Sequence, residues 1–351
     1  MKYKVKPTEI IKALCVCILA VLTMVFPEET AASTVNSIDV CVNSIIPSMF
    51  VFMVITSYIQ SSGIYRIIFR PIMPVLRRMI HADDDVLSIF MLSLVGGYPV
   101  GIKLLKESIA QNNNFPAIID NTVKAAMFCY CISPSFAVIM IGSGVFGSTE
   151  AGFIIYLSNI LANLTAAVII TRINDLRSGI RSEQKSDGCI TGAVNSASKS
   201  LFTICTVIIA FNAALACIFE ALSGFDVFVP ELVSGVLEIS NMLKITEPSV
   251  SLIPFVSAVA SFGGICVMLQ CAAIGGRILH IKPFITARFF CALLSGLYTY
   301  LFLQFTDISV CVSTISRNYS YEFSANTVIV PVLTAMCIII FYKSNKLFKK
   351  V

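Results

Sequence analysis

An apolar run that follows Asp85 is interrupted by Gly96-Gly97-Tyr98-Pro99-Val100-Gly101 before it closes on Lys103 and Lys106. A helix that crosses a bilayer needs about 20 mostly apolar residues in one unbroken hydrogen-bond ladder, and glycines beside a proline cannot hold that ladder. Non-helical backbone survives at membrane depth only where protein covers it or where it lines a water-filled cavity. Residues 86–109 are therefore predicted to form a re-entrant hairpin at a solute site.

Such a hairpin requires a membrane protein around it, and the composition supplies one. Hydrophobic residues make up 57% of the chain and charged residues 13%, against roughly 25% charged in an ordinary soluble domain. An all-α polytopic membrane protein with a single membrane domain is expected. Most of the 13 cysteines, Cys131 and Cys266 among them, lie inside apolar runs, none forms a CxxC pair, and only His81 and His280 can assist a metal. They read as small packing residues, with no structural disulfide and no metal site. Lys2, Lys4, Lys6 and Lys12 lead into an apolar run over 10–26 that has the form of a signal peptide. The acidic pair Glu28-Glu29 ahead of the small residues Ala31, Ala32 and Ser33 favours an uncleaved first transmembrane helix instead.

Apolar windows place eight crossings, at 10–26, 45–61, 125–146, 152–171, 201–222, 252–274, 284–305 and 327–342. Two shorter segments, 86–109 and 229–247, read as hairpins that return to the side they enter from. With the amino terminus in the cytoplasm, all but Lys244 and Arg317 of the 25 Lys and Arg residues fall on the cytoplasmic side, Arg288 among them. That distribution obeys the positive-inside rule. Residues 45–171 and 201–306 then each hold three crossings and one hairpin, so the second unit is inverted relative to the first. Inverted repeats with discontinuous helices are the pattern of secondary transporters, with the site where the repeats meet. Residues 1–44 form a first helix and an external segment, 172–200 a cytoplasmic linker, and 307–351 a last helix with a basic tail.

Four interruptions carry candidate chemistry. In the first hairpin, Gly96, Gly97, Tyr98, Pro99 and Gly101 turn the chain, and the helix that starts near Pro99 offers open amides with Lys103 one turn on. The plainer alternative is that the glycines serve close helix packing. In the second hairpin Glu238, followed by Ser240 and Asn241, is an ionisable group at membrane depth and by default a functional one. The alternative there is an interfacial helix with Glu238 among the headgroups. The third crossing contains Ser133-Pro134-Ser135, and the sixth contains Ser261, Gly263, Gly264 and Gln270. Either is a kink or a ligand site. No GxxxxGK[ST], HExxH or GxSxG stretch occurs, so neither ATP hydrolysis nor a familiar hydrolase is indicated, and the chain is expected not to be an enzyme. The basic loops are explained by orientation and need no nucleic acid.

Taken in order, Pro47-Ser48-Met49-Phe50-Val51-Phe52, Gly96 to Lys103, Ile132-Ser133-Pro134-Ser135-Phe136, Gly235-Val236-Leu237-Glu238-Ile239, Ser261-Phe262-Gly263-Gly264, Lys282-Pro283-Phe284 and Ala287-Arg288 resemble motifs of the YlbJ-type sporulation integral membrane proteins of endospore formers. That family sits in the wider nucleoside-recognition or Gate group, which is similar to concentrative nucleoside transporters. The resemblance implies a secondary transporter of a small polar or anionic metabolite, dipicolinate during endospore formation, in the bacterial cell membrane or the outer forespore membrane, with both termini cytoplasmic. A non-transporting scaffold for spore-envelope assembly and a nucleoside transporter are the alternatives. Expected partners are the lipid bilayer and a small-molecule substrate, with a homo-oligomer or other sporulation membrane proteins also open. No cofactor is expected. Glu238, Ser240 and Asn241 can hold Na⁺ or Glu238 can carry a proton, so either coupling ion stays open.

Overall fold

The computed structural model describes residues 7–111, 116–174, 176, 189–223, 231–245, 248–306 and 308. The expected crossing at 327–342 and the ends of the second hairpin, 229–230 and 246–247, lie outside them. Among the described residues every regular element is helical. Five helices are long and apolar enough to cross a membrane, and the chain is an all-α membrane protein.

Helix α1 (Pro7–Val25) is followed at once by α2 (Pro27–Val40). Pro27 lacks an N–H that a first helical position would leave unpaired anyway, and Glu28 and Glu29 complement the positive end of the helix. A wide π turn (Cys41–Ile45) joins α2 to α3 (Ile46–Ser61), so 27–61 is one 35-residue helix. The stretch expected as an external segment is thus continuous with the second crossing. It packs antiparallel on α11 (Ile190–Ser223): Thr30 Oγ1 meets Cys217 Sγ at 2.9 Å, Ser33 donates to the Asn212 carbonyl at 3.0 Å, and Cys41 donates to the Cys205 carbonyl at 3.9 Å. Because α11 starts at Ile190, the linker is shorter than the expected 172–200.

Short helices α4 (Tyr65–Ile68) and α5 (Met73–Met79) lead into α6 (Asp84–Gly96), which packs against α7 (Val100–Gln111). The start of α6 is pinned to the end of α10 (Thr149–Ile173), where His81 N–H donates to Thr171 Oγ1 at 3.2 Å and Leu176 N–H to the His81 carbonyl at 3.1 Å. The far half of α7 lies beside the end of α3, where Gln60 Nε2 donates to Glu107 at 2.8 Å. Both arms therefore open toward the end of the bundle at which α3 finishes.

Next come α8 (Pro116–Ala126), an unwound stretch, a π-helical segment (Ser135–Ser143) and α9 (Gly144–Phe146). The expected crossing at 125–146 is corrected here: residues 127–133 turn out of α8 and leave the helix, and only the second half is wound. After α11, α12 (Glu231–Leu237) folds onto a 3₁₀ segment (Ile239–Lys244). Helices α13 (Ile253–Phe262) and α14 (Gly264–Gly275) are the two halves of the expected crossing at 252–274, and α15 (Ile281–Leu303) runs back along α13 and α10.

Buried apolar side chains fall into two clusters. A large one joins α4 to α10 with α13 to α15. A small one holds Ile45, Met49 and Met53 of the 27–61 helix against Leu201, Ile204, Cys205 and Ile208 of α11, together with Cys266.

Candidate functional site

Each interruption in the helices is held open by named groups. Gly97 ends α6 at φ 73°, in the left-handed region, and a Cβ there would stand 2.7 Å from the Ser133 Cβ. The chain turns through Tyr98 and Pro99, and α7 begins with Val100 N–H on the Gly97 carbonyl and Lys103 N–H on that of Pro99. Gly96 faces the Val100 side chain, and Gly101 packs against the Cys129 carbonyl, with no room for a Cβ.

In the facing stretch, 127–133, the N–H groups of Met127, Phe128 and Cys129 still reach back to Lys124 and Ala125, but the chain then leaves the helix and its buried backbone groups must find other partners. Arg288 of α15 supplies them. Its guanidinium donates to the Met127 carbonyl, to the Tyr130 carbonyl at 2.7 Å and to Asn163 Oδ1 at 3.0 Å, and it lies 5.0 Å from the Tyr130 ring centroid. Asn159 Oδ1 accepts from Ile132 N–H at 3.2 Å, and Ser133 Oγ accepts from Phe136 N–H at 3.2 Å while meeting Ser135 Oγ at the same distance. Pro134 leads directly into the π-helical segment.

Gly263 breaks the α13–α14 run at φ 85°, and a Cβ would run into the Tyr130 hydroxyl. The break frees carbonyls at the end of α13, and two tyrosines take them: Tyr130 Oη donates to Phe262 at 3.2 Å and Tyr98 Oη to Ala260 at 3.5 Å. The two rings stack at 4.8 Å. Gly264 packs on the backbone of Leu237 and Ile239, and the Ser261 hydroxyl is buried without a partner among the described residues.

At the second hairpin Glu238 leaves α12 in an extended conformation. Its Oε1 accepts from Ser240 N–H at 3.1 Å, capping the 3₁₀ turn. The residue is 0% exposed, so the headgroup alternative does not describe it. Asn241 Nδ2 donates to Asn212 Oδ1 of α11 at 3.3 Å.

One small cavity, about 30 Å³, receives all of these elements. Tyr98, Ser133 and Phe136 form one wall, Glu238 and Ser240 another, and Gln270 with Val267 a third; Ile45, Met49, Ile204 and Ile208 close it. It has room for a water or a bare cation. Pockets that hold whole metabolites run to about 300–1,000 Å³, far above this volume.

No family model, no curated protein and no solved structure matches the chain.

Of the residues singled out in the sequence, Tyr98, Ser133, Glu238, Ser240 and Gln270 line the cavity. Gly96, Gly97, Gly101, Pro134, Ser135, Gly263 and Gly264 shape the backbone around it, Asn241 and Ser261 sit behind its wall, and Lys103 points away, to Ser196 and Ser200 of α11. Three participants escaped the sequence reading. Arg288, assigned to a cytoplasmic loop, is 0% exposed inside the protein, and Asn159 and Asn163 of α10 are buried with it. The available signal was an ionisable residue well inside the apolar run 284–305.

Proposed function

We propose that this protein is a secondary transporter of a small polar or anionic metabolite, with dipicolinate during endospore formation as the first substrate to test. The supporting observation is that Tyr98 at the tip of one helical hairpin and Glu238 at the tip of the other line the same small cavity. In this reading 45–171 and 201–306 are inverted repeats whose hairpins enter from opposite faces of the membrane and meet at mid-depth. The sequence resemblance to the sporulation family supplies the substrate.

The carboxyl of Glu238 sets the chemistry of loading. A dicarboxylate meeting an ionised Glu238 in a low-dielectric chamber would be repelled, since two like charges about 4 Å apart interact by several kcal/mol at an effective dielectric near 20. A proton on Glu238, or a Na⁺ held by Glu238 and neighbouring oxygens, removes that repulsion. Substrate and cation therefore enter together, and the chamber enlarges to admit them.

Proteoliposomes carrying the purified protein test the proposal. Labelled dipicolinate is expected to accumulate in preference to uridine and to respond to an imposed proton or Na⁺ gradient. Uptake of neither solute by folded protein would remove the carrier reading in favour of a scaffold.

A further inference from the structure

The chamber has a smaller companion. A second cavity of about 10 Å³ lies among α3, α7 and α11, with Ser57, Gln60, Lys103 and Ser200 in its wall. Both cavities follow one seam. Along α3 the chamber takes Met49 and the companion Ser57; along the first hairpin they take Tyr98 and then Lys103; along α11, Ile204 and then Ser200. Apolar Met53 sits between them, and the sequence of groups leads toward the end of the bundle where α3 finishes.

Between α11 and the first hairpin the seam is also the boundary of the two apolar clusters: Met49, Met53 and Ile204 belong to the small one, Tyr98, Val100 and Leu104 to the large one, which α3 joins beyond Met53 through Ile59. Packed cores resist deformation, whereas two bodies can slide or part along the surface between them. Few groups tie this surface at that end. Lys103 Nζ donates to Ser196 Oγ at 2.5 Å and to Ser200 Oγ at 3.1 Å, while Glu107, one turn on, accepts from Gln60. The half-buried ammonium donates to neutral hydroxyls and feels the Glu107 carboxylate, which is engaged by Gln60, only through space; a carboxylate bonded to it directly would make a shorter contact about twice as strong.

We infer that the Lys103 cavity is a second, outer station for the carboxylate of an anionic solute, on a route that opens between α3, α7 and α11. The route rests on the carrier reading above; the station can be tested without any transport.

The experiment uses the full-length protein in detergent, with Ser57→Cys or Ser200→Cys and, as a control, Ser158→Cys at a fully buried site in α10. Each is treated with an anionic sulfonatoethyl and a cationic trimethylammonioethyl methanethiosulfonate, and the new thiol is followed by peptide mass spectrometry so that native cysteines do not interfere. Relative to free thiol, the anionic reagent is expected to modify positions 57 and 200 about ten-fold faster than the cationic one, as a focused positive charge dictates. Lys103→Gln should abolish that preference, and phthalate should slow the anionic reagent. Equal rates with both reagents, or modification no faster than at position 158, would overturn the station. A charge preference that stands while proteoliposome uptake fails would retire the carrier and leave the station in place.

Discussion

Two fully buried ionisable residues lie on either side of the Tyr98–Tyr130 stack, and they are held in opposite ways. Arg288 is anchored by groups from two distant parts of the chain, the carbonyls of Met127 and Tyr130 and the side chain of Asn163, and it lies over an aromatic ring. Its fork of donors matches a backbone that has left its helix. Glu238 accepts from the Ser240 N–H of its own turn, and it lines the cavity. One charge is a clamp that keeps an unwound segment in shape. The other is poised on the wall of a chamber, where a ligand can meet it. Burial alone does not separate the two; what each side chain lines does.

Substitutions can break that contrast. The largest effect on stability is expected from Arg288→Met, which strands the carbonyls of Met127 and Tyr130 at about 1–3 kcal/mol each. Loss of a monodisperse peak or a sharply lower melting temperature in detergent would show it. Arg288→Lys should recover only part, since an ammonium cannot reproduce the planar fork. Gly263→Ala comes next, at about 2 kcal/mol, from a left-handed backbone position and a Cβ driven against Tyr130; an unchanged melting temperature would mean that the α13–α14 break is not held as described. Glu238→Gln is expected to change stability least, within about 1 kcal/mol, because the amide oxygen still accepts from Ser240 N–H. Its gradient-driven uptake of dicarboxylate should nevertheless fall by roughly ten- to a hundred-fold, the equivalent of one lost charged contact to the cation, and lose its response to an imposed proton or Na⁺ gradient, because the amide neither carries a proton nor balances a cation. If Arg288→Met proved no more destabilising than Glu238→Gln, the division of roles would be wrong.

Much of the chamber was legible in the sequence because interruptions are written in residues with strong backbone preferences. Gly97 and Pro99 announced the first tip, Gly263 the break in the sixth crossing, and Glu238 stood out as an acid at membrane depth. What supports those interruptions was harder to read. The unwinding at 127–133 is supported by Arg288, Asn159 and Asn163, which come from other helices, and only the fold brings them to it. Arg288 was also disguised, since counting basic residues for topology assigns every arginine to a loop. Lys103 was read as a chamber residue from its place one turn beyond Pro99, yet its side chain follows the contour of α7 to α11. The long helix 27–61 was hidden by Pro27 and the acidic pair, which start a helix as readily as they end an apolar run.

That helix has a consequence outside the core. At 1.5 Å per residue its 35 residues extend about 52 Å, against a hydrocarbon slab of about 30 Å. Immersing all of it would take a lean of roughly 55°, beyond the range of about 0–40° that spanning helices adopt. Part of the rod must project into headgroups or water, and its polar first half, from Glu28 to Asp39, is the part suited to do so. That half stays packed on α11 through Thr30 and Ser33, so a fluorophore on its outer face would sit outside the hydrocarbon on a helix pair rooted beside the chamber.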